Sequence, residues 1–261
     1  MSMLYKYPRT PHVEGSGIQR GDEDLRMLPL RELPGHYVVV EEKVDGANSA
    51  LSFTEDGQLL LQSRGHYLSG GPREVQFQLL KSWAHSHSAA FWDVLMDRYI
   101  LYGEWLYAKH TVFYTALPHY FLEFDIYDKQ TGTFLSTAKR RALLAQLPFV
   151  CSVRVLFEGQ LQSTQQLLAL LTRSPYIEYN HLEQLRELCT KKHLNSEQAL
   201  KETDPSTLME GLYIKIETSE SVQERWKYVR AGFQQAMQES ESHWMNRPII
   251  PNLLSKTASL F

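Results

Sequence analysis

The chemistry in this sequence gathers where apolar runs end. Glu42-Lys43-Val44-Asp45-Gly46-Ala47-Asn48 leaves a β-branched run and enters a glycine turn. Lysine is a useful nucleophile only when its amine is partly deprotonated, and burial or neighbouring cations, a metal ion included, lower its pKa. At a sheet rim, with a carboxylate and flexible backbone beside it, Lys43 has the setting of a nucleophile. The plainer alternative is a solvated lysine in a surface turn. Charged residues recur at comparable places: Arg64 in Ser63-Arg64-Gly65, Glu104 in Gly103-Glu104-Trp105, Asp125 in Phe121-Leu122-Glu123-Phe124-Asp125-Ile126. Glu210 and Lys215 follow in Glu210-Gly211-Leu212-Tyr213-Ile214-Lys215, then Lys227 and Arg230 in Lys227-Tyr228-Val229-Arg230.

The elements that must hold these residues can be read coarsely. Residues 1–35 are broken by Pro8, Pro11, Gly15, Gly17, Gly21, Pro29 and Pro34 and read as an arm. Strand patterns cover 36–43, 49–53, 58–63, 99–108, 119–128, 151–157, 210–217 and 225–230. Helical spacing covers 73–98, a segment capped by Ser136, 163–173, 177–192 and 231–245. Ser136 reads as an N-cap, and Ser163 with Gln166 as a capping box. Strands come in groups and do not alternate with helices. This predicts an α+β fold of antiparallel or mixed sheets flanked by helices. No G-x-G-x-x-G or G-x-x-x-x-G-K-[ST] loop occurs.

Composition narrows the function classes. The chain has 261 residues, 43% hydrophobic and 22% charged, which excludes a mainly disordered or fibrous protein. Its net charge of −3 gives no global positive field, so any polyanion site must be a local patch. Two cysteines, Cys151 and Cys189, fit no metal or redox spacing and read as reduced thiols of a cytoplasmic protein. No 18-residue apolar run and no signal-peptide pattern is present, so no membrane role is expected.

Taken in order, the motifs resemble those of the covalent nucleotidyltransferase superfamily, which holds ATP-dependent DNA and RNA ligases and mRNA capping enzymes. Lys43-Val44-Asp45-Gly46 is similar to its K-x-D-G motif, and five further motifs follow in the family's order across residues 42–230. Asn48 and the G-E and F-D-I pairs look most like the RNA ligase 2 branch. The resemblance implies an ATP-grasp-like ligase adenylation domain over 36–230, with a helical insert at about 160–205, a helical tail over 231–261 and no oligonucleotide-binding barrel.

It also implies roles. Lys43 would attack the α-phosphate of ATP and carry AMP. Glu42, Asp45, Gly46 and Asn48 would line the nucleotide. Arg64 would bind a ribose or phosphate, Glu104 a ribose hydroxyl, and Phe124 would stack on adenine. Glu210 would hold a divalent metal, Mg2+ or Mn2+. Lys215, Lys227 and Arg230 would neutralise phosphate oxygens. Phosphoryl transfer spreads charge over non-bridging oxygens, so a ring of cations suits it. The implied substrate is RNA with 5′-phosphate and 3′-hydroxyl ends, in RNA repair, with an end-healing kinase or phosphatase as partner.

Two departures stand out. The family's last motif alternates lysines as K-x-K, whereas Arg230 lies three positions after Lys227 and so on the opposite face of a regular strand. Only about 31 residues follow Arg230, short for a barrel. The run 6–17, KYPRTPHVEGSG, reads either as a packed surface arm or as a stiff loop over the nucleotide. His181, Lys191, Lys192, His193 and Lys201 form a candidate RNA-facing cluster. A DNA ligase, a capping-type or protein-adenylylating enzyme, and a non-catalytic end-binding module remain open.

Overall fold

The computed structural model describes residues 3–18, 22–233 and 248–261. Two sheets face each other. The first takes β1 (His12–Val13), β2 (Met27–Leu28), β3 (Tyr37–Lys43), β10 (Val155–Gln160), β11 (Gly211–Glu217) and β12 (Val222–Val229), in the order β10-β3-β11-β12-β1-β2. The second takes β4 (Ala47–Phe53), β5 (Leu59–Ser63), β6 (Tyr99–Trp105), β7 (Phe121–Asp128) and β8 (Thr133–Phe134), in the order β5-β4-β6-β7-β8, with β9 (Cys151–Ser152) beside β7. Pairing is antiparallel except at β1–β12, β1–β2 and β7–β9, and neither sheet closes into a barrel among the described residues. The α+β expectation holds.

Alternation builds the layers. Leu51, Phe53, Leu101, Trp105, Phe121 and Ile126 turn outward from the second sheet onto α1 (Gln78–Ser86) and α2 (Ser88–Leu95), around Trp83 and Phe91. Val38, Val40, Leu212, Ile214 and Trp226 turn outward from the first sheet, against Leu161 and Leu167 of the insert. Burying one such aliphatic side chain contributes about 1.5–3 kcal/mol. The inward faces carry the polar chemistry. Ser136 caps α3 (Thr137–Leu144) as its sequence predicts, its Oγ accepting from Lys139 N at 3.4 Å. α3 then delivers Arg140 between the sheets.

Several expectations change. The single strand read at 151–157 is two strands in different sheets: β9 pairs with β7 and β10 with β3. One apolar run says nothing of a sheet change. The helix read at 163–173 is a short α4 (Thr164–Leu168). Ser163 caps it, but Gln166 reaches back to Gln162 N rather than to Ser163 N. The remaining insert helices are α5 (His181–Lys191) and α6 (Ser196–Lys201). The closing helix read at 231–245 lies outside the described residues beyond Phe233, and 248–261 is irregular, with isolated bridges at Pro251 and Leu254 and no helix. There Asn252 stitches the chain to Tyr114 N and Leu106 O.

Candidate active site

Lys43 ends β3, and Val44-Asp45-Gly46 carries the chain across to β4 in the other sheet. The nucleophile candidate therefore stands where the two sheets are joined. Its Nζ lies 2.7 Å from Glu210 Oε1. Gly211 sits opposite Lys43 in the register, and a Cβ there would come within 1.9 Å of the Tyr228 carbonyl oxygen. Only glycine lets β11 approach β12 so closely beside Glu210.

Glu104, on β6, pairs through Asn48 of β4. Its carboxyl accepts from Gly46 N and lies near both Lys43 and Glu210. Burial first, then the neighbouring carboxylates, push Glu104 up to about 8 and Glu210 up to about 7. Burial alone would lower Lys43, but Glu210, Glu104 and Asp45 outweigh it and hold the ammonium above its ordinary value. One lysine thus faces three carboxylates. Among the described residues no three acidic, histidine or cysteine side chains close into a metal cage. This donor set fits a magnesium-type ion, which binds through one or two carboxylates and completes its shell with substrate phosphates.

Asp45 is largely committed to the backbone. It accepts from Thr111 N at 2.6 Å and Val112 N at 2.9 Å, while Tyr114 Oη donates no bond to it but accepts from Asp45 N. Arg64 is exposed, one residue past the Ser49–Ser63 pair and hence at the row of Asn48 and Glu104. Phe124 is the extra residue of a bulge, since Tyr102 pairs with Asp125 and Gly103 with Glu123. Bulges re-aim side chains beside functional sites. Here Phe124 points inward against Tyr7, 5.1 Å between ring centroids, and toward Tyr213 at 6.4 Å. Phe121 turns outward into the core.

Three residues stand away from Lys43. Glu42 alternates to the opposite face, buried, where burial pushes its carboxyl up to about 7 against the pull of Ser174 and Arg154. Lys215 is fully buried between Glu41 at 2.9 Å and Asp125 at 3.0 Å. Its ammonium also donates to the carbonyl of the bulged Phe124 at 2.5 Å, which ties the bulge to this buried cluster. Arg230 follows the end of β12 and turns to Met209 O, Asp204 and Ser206.

Lys227 does enter the cleft, on the face shared with Lys43 and Tyr213. Its same-face companion is Arg225, which stacks 3.7 Å over Phe134 and lies 3.6 Å from Asp125. Arg225-Trp226-Lys227 is a two-residue basic alternation that ends at Lys227, whereas the reading with Arg230 begins there. The run 6–17, read as a packed arm or a loop over the nucleotide, brings His12 to this face. The sequence reading gave no role to Tyr7, whose hydroxyl donates to Asp125 Oδ2 at 2.5 Å, or to Asp22, which pairs with Lys227. Of the insert's basic residues, His181 is buried at the start of α5, while Lys191, Lys192 and His193 are exposed.

Two facing sheets with a lysine at their junction define a nucleotidyltransferase fold. Within that fold the chain belongs to the RNA ligase family, whose profile matches residues 36–229. Solved structures of Naegleria gruberi RNA ligase variants share the fold. One with ATP and Mn has a TM-score of 0.52 and 17% identity, covering 80% of this chain and 54% of that one. Another, with AMP and Mn, has a TM-score of 0.51 and 15% identity, covering 91% and 65%. The chain spans between about half and two thirds of the length of these ligases. A search of curated protein sequences finds no match. No helix among the described residues is long and apolar enough to cross a membrane.

Proposed function

We propose that this chain is an ATP-dependent RNA ligase that joins 5′-phosphate and 3′-hydroxyl ends through AMP carried on Lys43. The observation that carries the reading is the Lys43–Glu210 pair, 2.7 Å apart, with Glu104 beside it at the junction of the sheets. Family membership and relatives solved with ATP, AMP and manganese support it.

In the first step the Lys43 amine attacks the α-phosphorus of ATP and pyrophosphate leaves. Without nucleotide Lys43 is held protonated by its carboxylates, so the resting amine is not nucleophilic. A divalent cation bound by Glu210 and the phosphates would screen those carboxylates and add positive charge at the developing oxyanions. Lys227 would neutralise a phosphate oxygen, Glu104 would accept from a ribose hydroxyl, and Phe124 would cover a face of adenine. Exposed Arg64, Asn48 and the Gly46 backbone would line the nucleotide. AMP then passes to the 5′-phosphate of RNA, and a 3′-hydroxyl displaces it. Enzymes that phosphorylate 5′-hydroxyls or clear 3′-phosphates supply such ends, and these are the partner reactions proposed.

Incubation with ATP labelled in the α-phosphate tests the first step. The expected result is an acid-labile phosphoramidate on the wild type and none on Lys43→Ala. Label on the variant overturns the assignment. Strand choice is tested with nicked duplexes differing only in the last two sugars on the 3′-hydroxyl side, where a 2′-hydroxyl is the one group DNA lacks. Equal sealing of deoxy and ribose ends would move the DNA-ligase reading ahead.

A further inference from the structure

The arm at the edge of the first sheet brings three donors onto one carboxylate. Asp22 accepts from Lys227 Nζ at 2.5 Å, from Arg9 at 3.2 Å, and faces His12 Nε2 at 3.3 Å. β1 runs parallel to β12 with His12 directly opposite Lys227, so His12 shares the cleft face that also carries Lys43. Its ring is 2% exposed. The Asp22 carboxylate, an acceptor, sets its proton: Nε2 facing it carries the hydrogen, and Nδ1 accepts from Ser16 Oγ at 2.7 Å, a hydroxyl that also accepts from Val229 N at 2.9 Å. Burial, reinforced by Lys227, keeps the ring neutral by lowering its pKa. A buried neutral donor, an ammonium and a guanidinium around one oxyanion form an anion cradle with an internal carboxylate in it.

We propose that this cradle is the pyrophosphate subsite of the nucleotide: His12 and Lys227 receive the β- and γ-phosphates of ATP, and the Asp22 carboxylate stands in their place until nucleotide binds. The proposal rests on the ligase reading above. Sheet geometry supplies the direction. Neighbouring strands lie about 4.8 Å apart, so β12 and β1 extend the donors stepwise away from β3 and Lys43. With the α-phosphorus at Lys43, a pyrophosphate leaving along this row would meet Lys227 first and His12 next. As the N–P bond forms, the P–O bond to the β-phosphate breaks, and pyrophosphate leaves with the electron pair. The amine's proton passes through Glu210 to solvent. Asp22 yields Lys227 and His12 to the phosphates and keeps Arg9.

The proposal sets opposite signs for two variants. Titration of inorganic pyrophosphate into the full chain should give weaker binding for His12→Gln, by about tenfold for one lost buried donor, and tighter binding for Asp22→Asn, which removes the competing anion. A merely structural arm would weaken both. In the same pair of proteins, His12→Gln should slow lysyl-AMP formation from ATP and its reversal by pyrophosphate about tenfold more than it slows sealing of a chemically pre-adenylated RNA strand, which involves no pyrophosphate. Equal losses in the two assays, unchanged pyrophosphate binding in His12→Gln, or weaker binding in Asp22→Asn overturns the subsite. If the wild type neither labels nor seals pre-adenylated RNA, the ligase reading fails and the subsite falls with it. If it labels and only the variant pattern is wrong, the subsite alone fails.

Discussion

Two lysines on one face of one sheet, Lys43 and Lys215, sit among carboxylates with different outcomes. Around Lys215, three carboxylates (Glu41, Glu123, Asp125) meet three cations (Lys215, Arg140, Arg225), all within the cluster bridging the sheets. Asp125 feels burial most, but Lys215, Arg225 and Arg140 outweigh it and hold its carboxyl below the ordinary value. Around Lys43, the same number of carboxylates meets Lys43 with Lys227 further along the face, and Glu104 and Glu210 are pushed up. Lys43 keeps 21% of its side chain exposed, Lys215 none. Charge balance plus closure makes a structural cluster. Charge surplus plus an opening makes a place for a cation and a phosphate.

The largest expected break of this comparison is at Lys43 itself. Lys43→Ala should abolish nucleotide labelling while leaving the thermal midpoint within a few degrees of wild type. A variant that unfolds instead would put Lys43 in the class of Lys215. Lys215→Ala should do the reverse and lower stability by about 3–5 kcal/mol in urea unfolding, because removing one partner leaves buried charges uncompensated. Wild-type stability in that variant would end the structural assignment.

Within the cleft, Glu210→Ala and Lys227→Ala should each slow adenylation by about 10²–10³-fold, the range for losing one electrostatic contact to a transition state. Arg230→Ala, whose guanidinium is engaged by Met209 O and Asp204, should cost far less in single-turnover labelling. Equal defects at 227 and 230 would break the face argument.

The smallest effect sharpens the surplus-charge idea through pH. Glu104 and Glu210 hold protons more tightly folded, near 8 and 7, than at their ordinary value of 4.5. Their contribution to stability is whole below about pH 4.5 and is lost as pH rises through 7 and 8. Thermal midpoints should therefore fall from pH 5 to 8.5 less steeply in Glu104→Gln than in wild type. Magnesium should raise the wild-type midpoint more at pH 8 than at pH 6, since protons compete for the same oxygens. Parallel pH curves for the two proteins would remove Glu104 from the surplus.

The strands that bear the motifs were legible because each is an apolar run ending in a turn. Strand alternation also foretold that Lys227 and Arg230 would part. The same rule, applied two residues upstream, finds Arg225, and applied to Glu42 puts it behind the sheet. What was not legible depends on distant partners. Lys215 looks like any strand lysine until Asp125, 90 positions away, comes opposite. A two-residue strand such as β1 has no periodicity to read. The break at Val153-Arg154 is invisible because a two-residue strand, Cys151–Ser152, is too short to show a change of face before β10 begins.

That break has a mechanical consequence. Val153-Arg154 crosses from the second sheet to the first, and Val44-Asp45-Gly46 crosses between the same sheets. The two crossings are tied at their base, where Glu42 N donates to Arg154 O at 2.9 Å. Two short links side by side form a brace. Lys43's strand-to-strand connection is thereby tied to a second connection between the same sheets. The candidate attacking atom therefore stands on doubly linked backbone, and a change in either link would shift its position relative to both sheets at once.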